Sequence, residues 1–196
     1  RAFEGCDKLT DITWSEWLED IDEDAFYYCK SLTSIYLPPW LKKIGCGAFS
    51  ACTNITSIIV SKDNHIYDSR ENCNAVIHTE SNTLITGCEN TIIPMSVEKI
   101  GCSAFSCCRN LSRISIPSSV TEIGEGVFSG CSNLTSAEGP TFIAQKFPPK
   151  KLTSFVISDG ETKICKDAFS GCSCLTNIII PKSVEDIDGA AFYGCY

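Results

Sequence analysis

The sequence predicts a solenoid of stacked coils in the α/β class, dominated by β-structure, with one short strand and one short helical turn per coil. Three observations predict it. An Ala-Phe pair or its equivalent begins at Ala2, Ala25, Ala48, Ala104, Val127, Ala168 and Ala191, in steps of 23, 23, 56, 23, 41 and 23 residues. A fixed period in this range is the signature of stacked repeats. The unit reads A-F-x-x-C-x-x-L-x-x-I-x-[IL]-P-x-x-[VL]-x-x-I, so the apolar positions recur as a set. Within each unit, the apolar spacing also changes from helical to alternating.

The elements follow in chain order. Ala25, Phe26, Cys29 and Leu32 are spaced i, i+1, i+4, i+7, the apolar stripe of a helical turn or two. Asp24 and Ser103 precede the alanine of their units and are expected to cap such a turn. Ile35 and Leu37 then alternate with Ser34 and Tyr36, as in a short strand. Pro38 lacks a backbone donor and ends it. Leu41 and Ile44 turn inward, and Gly45, like Gly101 and Gly124, is expected to supply a tight bend into the next coil. No unit can bury its apolar set alone. Stacking buries it continuously and aligns the strands as a parallel sheet, with neighbours about 4.8 Å apart.

Two stretches break the period, at about 61–90 and 137–151. In the first, Ala75 to Ile77 and Leu84 to Ile85 read as short strands around the polar turn Glu80-Ser81-Asn82, and Thr91 to Pro94 returns to the strand position. The second, "AEGPTFIAQKFPPK", reads as a Pro-rich loop. Both are expected to leave a parallel sheet that continues through them. The chain starts and stops inside a unit, so residues 1–196 read as a single domain trimmed from a longer protein. The lack of a signal peptide then says nothing about secretion.

Hydrophobic residues make up 43% of the chain and charged residues 20%, a globular composition. The formal charge of −8 argues against nucleic acid and anionic membrane surfaces, which select for Lys and Arg clusters. No apolar run approaches the ~20 residues of a membrane span, so no membrane insertion is expected in this segment.

Of the 14 cysteines, seven form one column of the repeat: Cys6, Cys29, Cys52, Cys108, Cys131, Cys172 and Cys195. Spread one per coil, they lack the converging pairs of a zinc site. A ladder of reduced thiols packed as small hydrophobes is the expectation, each able to form a weak hydrogen bond to a neighbouring coil. Cys73 and Cys88 lie off the column, one near each end of the first break, and are the candidate disulfide. Catalysis would have to draw on His65 or His78, the chain's 2 histidines, paired as Cys88/His65 or Cys73/His78. No motif supplies an orienting third group, so no enzyme is expected. Asp63, Asp68 and Glu71 lack the offsets and the glycine of a calcium loop, and no cofactor is expected. Asn54, Asn110 and Asn133 each begin an N-x-[ST] triplet at one repeat position, which either marks glycosylation or reflects the repeat's own preference.

Cys108, Leu111, Ile114, Ile116, Pro117, Ser119, Val120, Ile123 and Gly124, followed by Phe128 and Cys131, closely resemble the BspA-type leucine-rich repeat. Cys172 through Val184 repeats most of the set. The resemblance implies a right-handed leucine-rich-repeat superhelix with a concave parallel β-sheet and short helical turns on the convex side. It also implies an extracellular or cell-surface protein, of a family in which some members adhere to host proteins. The segment "YDSRENCNAVIHTESNTLITGC" is similar to one that recurs in bacterial members.

The outward strand position holds Thr13, Tyr36, Ile59, Ile92, Ser115, Glu138, Val156 and Ile179. Tyr36, Ile59, Ile92, Ser115, Val156 and Ile179 are the candidate binding face. An exposed apolar row can receive a partner, although β-branched residues also favour strands for their own sake. The functional expectation is a non-enzymatic module that binds a protein or a glycan. The alternative is an architectural spacer with no ligand of its own.

Overall fold

The computed structural model describes residues 1–196. Strand Ser34–Leu37 has its inward residues, Ile35 and Leu37, buried and its outward residues, Ser34 and Tyr36, exposed. This is the pleat-driven alternation that the sequence predicts. It pairs in parallel with Ser57–Val60, matching Tyr36 to Ile59. Farther along, Arg113–Ser115, Ser136–Gly139, Ser154–Ile157 and Asn177–Ile179 form a parallel four-stranded sheet in sequential register. A second ladder of two-residue strands follows the Pro turns: Asp20–Ile21 with Lys43–Ile44, Lys99–Ile100 with Glu122–Ile123, and Lys163–Ile164 with Asp186–Ile187.

The expected helical turns do not form, and the fold is a β-solenoid. Its helical content is two 3-10 segments, Arg70–Asn72 and Thr141–Lys146, both inside the stretches that break the period. The reason lies in two backbone positions of each coil. The residue before the alanine is left-handed, with φ 54° at Asp24, 55° at Ser103 and 58° at Asp167. So is the residue three after it, with φ 67° at Tyr28, 60° at Ala51 and 58° at Cys107. Only three residues lie between, and a left-handed residue interrupts the right-handed helical run. The segment becomes successive tight turns, closed by Tyr27 N to Asp24 O and Cys29 N to Phe26 O. Asp24 and Ser103 are therefore turn residues and not helix caps. The freed amides reach the neighbouring coil, as in Phe26 N to Ala48 O and Tyr28 N to Ser50 O.

Gly45 is required by close approach and not by a special bend. A Cβ there would lie 2.3 Å from the backbone nitrogen of Glu23, one coil away.

The first break is a built part of the solenoid. Ala75–His78 and Thr83–Gly87 form an antiparallel hairpin, joined on its outer side by Tyr67–Asp68. Thr83 and Leu84 pair in parallel with Lys99 and Ile100, so the hairpin supplies the missing strand of the second ladder. Ala75, Val76, Ile77 and Leu84 are fully buried. Asn64 ties the entry down by donating to Pro38 O at 2.8 Å and Leu41 O at 3.1 Å.

The main sheet does not run through this break, contrary to expectation. Thr91 to Pro94 is irregular, and the sheet divides into the pair Ser34–Leu37/Ser57–Val60 and the four-stranded part. The free edge of Ser57–Val60 is occupied instead by Asn74. Its side chain accepts from Ile58 N at 2.6 Å and donates to Thr56 O at 2.9 Å. The core divides at the same place. Phe3, Phe26 and Phe49 stack with ring centroids 5.0 and 5.3 Å apart. A second aromatic column begins at Phe105, on Phe128 at 5.9 Å. Gly87 of the hairpin sits against the Phe105 ring, where a Cβ would come within 2.4 Å of Cε1.

The second break is a short coil and not a loop. Ser136–Gly139 is a regular strand, and it pairs directly with Ser154–Ile157. The chain between them is a 3-10 turn with Thr141, Ile143 and Ala144 buried. Phe147 fills the aromatic column, 4.6 Å from Phe128 and 6.2 Å from Phe155. Here the sheet does continue, as expected.

Candidate functional site

The side chains of Tyr36 and Ile59 lie side by side on the outer face of their two strands, 53% and 54% exposed. Ile92 is 77% exposed but stands on the irregular link, with its amide bonded to Cys73 O at 3.0 Å. Ser115, Val156 and Ile179 belong to the other sheet, in a row that Glu138 interrupts. Glu138 is paired to Arg113 at 3.4 Å. The structure thus brings Tyr36 and Ile59 together and separates them from the other four candidates.

Beside Tyr36 and Ile59 lies an open groove of about 860 Å³. Ser61 and Asp63 line it from the turn that follows the strand, and Asn72 and Asn90 from the hairpin side. Asn74 and Asn90 both donate to Thr56 O, at 2.9 and 3.3 Å, which fixes the hairpin against the strand edge. Asn72 and Asn74 sit at φ 52° and 57°, a left-handed region that Asn tolerates better than most residues. Asn72 and Tyr36 both line the groove. The asparagines were legible only as polar residues of a long break. Nothing in their spacing announces the wall they form.

By the hairpin turn, Asp68 and Arg70 make a two-point ion pair, at 2.7 and 2.8 Å, and Thr79 donates to Asp68 at 2.9 Å. Burial alone would raise the Asp68 carboxyl. The hydrogen bonds from Arg70 and Thr79 outweigh it and hold the group below the usual carboxylate range.

The cysteines sort into three kinds. In the repeat column, Cys29, Cys52, Cys131 and Cys172 are buried, while Cys108 and Cys195 are half-buried and Cys6 is exposed. The thiols of Cys29, Cys52, Cys131 and Cys195 donate to Phe3 O, Phe26 O, Phe105 O and Phe169 O of the preceding coil, at 3.0–3.1 Å. Burial pushes Cys52 and Cys131 up to about 12 and Cys172 to about 11. Cys73 and Cys88 are free buried thiols and not the expected disulfide. The Cys73 thiol turns to Ala75 O, whereas Cys88 lies beside the Asn74 amide at 3.2 Å. The disulfide joins Cys46 to Cys102. Its signal was positional, since each stands two residues before the alanine of its unit. His78 is bonded to Ser81, and neither histidine hydrogen-bonds to a cysteine. Asn54, Asn110 and Asn133 are all exposed.

Stacked coils with parallel ladders, a phenylalanine column and a thiol column define a leucine-rich-repeat solenoid. The BspA-type leucine-rich-repeat region matches residues 1–79 and 142–196 in six copies, and the chain belongs to that family. Among solved structures, the chain is similar to a leucine-rich cell-surface protein of Faecalibacterium prausnitzii, with 29% identity and a TM-score of 0.60 over 99% of this chain and 59% of that one. It shares its fold with a leucine-rich-repeat protein of Bacteroides ovatus, at 24% identity and a TM-score of 0.59, covering 98% of this chain and 54% of the other. The fold is also that of the pneumococcal vaccine antigen PcpA, at 18% identity and a TM-score of 0.62, covering 97% and 54%. The chain therefore spans little more than half the length of these relatives. A search of curated proteins finds no match. No helix is long and apolar enough to cross a membrane.

Proposed function

We propose that the chain is a non-catalytic binding module of a secreted or cell-surface protein, with a protein or glycan partner seated in the groove beside Tyr36 and Ile59. The observation that carries this reading is the groove itself. An exposed aromatic–aliphatic pair stands on a rigid strand pair, and a hairpin with a fully buried core walls it on one side. Binding residues on loops positioned by a rigid scaffold are a recurrent arrangement. The cell-surface description of the Faecalibacterium relative supports the location. The Cys46–Cys102 disulfide supports it as well, because such bonds persist outside reducing compartments.

The test is a titration of the chain against purified mucosal and extracellular-matrix glycoproteins. Tyr36→Ala combined with Ile59→Ser should weaken binding by at least ~1 kcal/mol, the scale of an energetically important interface position. Stability should barely change, because both side chains are half-exposed. An affinity indifferent to the pair would remove the site from this groove. No binding to any protein on the panel would favour a spacer.

A further inference from the structure

Resting on that assignment of the groove, we propose that its ligand is a neutral glycan. Three alternatives are disfavoured by the lining. An extended peptide would add a strand to the free edge of Ser57–Val60, and its affinity would come from the edge's backbone groups. Asn74 already accepts from Ile58 N, and Asn74 and Asn90 both donate to Thr56 O, so the backbone groups at that end of the edge are already bonded. An anionic ligand, such as a sulfated or sialylated chain, would call for an arginine or lysine cluster. Lys62 is the groove's only cation, its neighbour Asp63 offsets it, and the whole chain carries −8. A folded protein partner would seek a dry pocket for an aromatic or apolar anchor. Here the walls are amides and hydroxyls, and the apolar part is the exposed pair Tyr36 and Ile59.

Those same features suit a sugar. A pyranose presents a face of C–H groups and a rim of hydroxyls that both donate and accept. The half-exposed Tyr36 ring offers a flat apolar surface to the first. Asn72 and Asn90 each combine donor and acceptor at one tip, as does the hydroxyl of Ser61, while Asp63 accepts. The volume, about 860 Å³, lies within the usual ~300–1,000 Å³ of small-molecule sites. It therefore suits the end of a short oligosaccharide. Asp63 also marks a coil position held two coils earlier by Trp17, which is 87% exposed. The inter-coil bonds Lys42 N to Glu19 O and Asn64 Nδ2 to Leu41 O keep that register. A second aromatic surface thus stands along the coil edge for a longer chain.

The experiment uses an array of immobilised neutral oligosaccharides ending in galactose, N-acetylglucosamine, mannose or fucose, printed beside sialylated and sulfated ones. Saturation-transfer NMR with the free sugars follows. The expected result is binding to at least one neutral terminus. Binding should weaken at least tenfold in Tyr36→Ala and in Asn72→Gly, the latter keeping the left-handed backbone while removing the amide. Lys182→Ala, at an exposed turn of the last coil, should leave it unchanged. Circular dichroism melts of each variant separate lost binding from lost folding, and Tyr36→Phe keeps the ring if Tyr36→Ala does not fold. Binding only to charged glycans, binding to none, or indifference to both groove substitutions overturns the proposal. If a glycoprotein stripped of glycans still binds in a Tyr36-dependent way, the glycan falls while the groove stands as a protein site. If neither sugar nor protein binding depends on Tyr36, both readings fall.

Discussion

Cys46 and Cys102 are 56 residues apart in sequence, yet their α-carbons lie 5.8 Å apart and a disulfide joins them. They occupy the same position in two coils that the hairpin separates. The bond spans the place where the main sheet divides and where the Phe49 and Phe105 columns fail to stack. Direct backbone contact across the junction is sparse here, with Ala51 N to Ser106 O at 3.3 Å as one such bond. The disulfide thus fastens two stacks whose other ladders are interrupted.

Replacing both residues by serine is expected to lower the melting temperature. Chain-entropy arguments for a loop of this length set an upper value of about 4 kcal/mol. Limited proteolysis should show the first new cleavages between residues 61 and 90. Equal melts for the oxidised protein and the double variant would mean that the hairpin alone holds the junction.

The hairpin is expected to be indispensable. Leu84→Ala should cost about 2–5 kcal/mol, the range for emptying a fully buried leucine site. Deleting residues 61–90 would remove four fully buried side chains, Ala75, Val76, Ile77 and Leu84, together with the strand partner of Lys99 and Ile100. The product should lose its cooperative transition in a urea titration. A sharp, two-state melt of the deletion would show that the coils pack without the hairpin.

Alkaline pH should weaken the thiol column. The folded protein holds the protons of Cys52, Cys131 and Cys172 more tightly than the unfolded chain, whose reference value is 9.0. Their contribution is therefore complete below pH 9 and declines as pH rises through the folded values near 11–12. Thiol labelling at pH 8 should be slow at Cys29, Cys52, Cys131 and Cys172 and quick at the exposed Cys6, Cys165 and Cys174. Rapid native labelling of Cys52 would contradict the buried column.

Acid should act through Asp68. Its folded value lies below the reference 3.8, so the stability it supplies is present above that pH and is lost as pH falls through the lower folded value. Asp68→Asn is expected to be less stable at pH 7 and to flatten the acid limb of the stability profile below pH 4. An unchanged acid limb in urea melts would assign that limb to other carboxylates.

What the sequence by itself determined is the repeat. The 23-residue step, the strand that alternates Ser34, Ile35, Tyr36 and Leu37, and the inward cysteine column were all legible, because burial against identical neighbours imposes one pattern on every coil. The pairing of Tyr36 with Ile59 was legible for the same reason, since equal spacing sets equal register. The tertiary structure decided what local spacing left ambiguous. An i, i+4, i+7 stripe reads as a helix, but the left-handed residues at Asp24 and Tyr28 turn it into tight turns whose amides serve the next coil. The long break reads as an excursion, yet its apolar residues fill the core, and Asn74 closes the strand edge that the sheet would otherwise extend. The groove and the Cys46–Cys102 bond both arise at that junction. The repeat aligns Cys46 with Cys102 in their units, but only the packed hairpin leaves those two coils adjacent, and only it sets Asn72, Asn74 and Asn90 beside Tyr36 and Ile59.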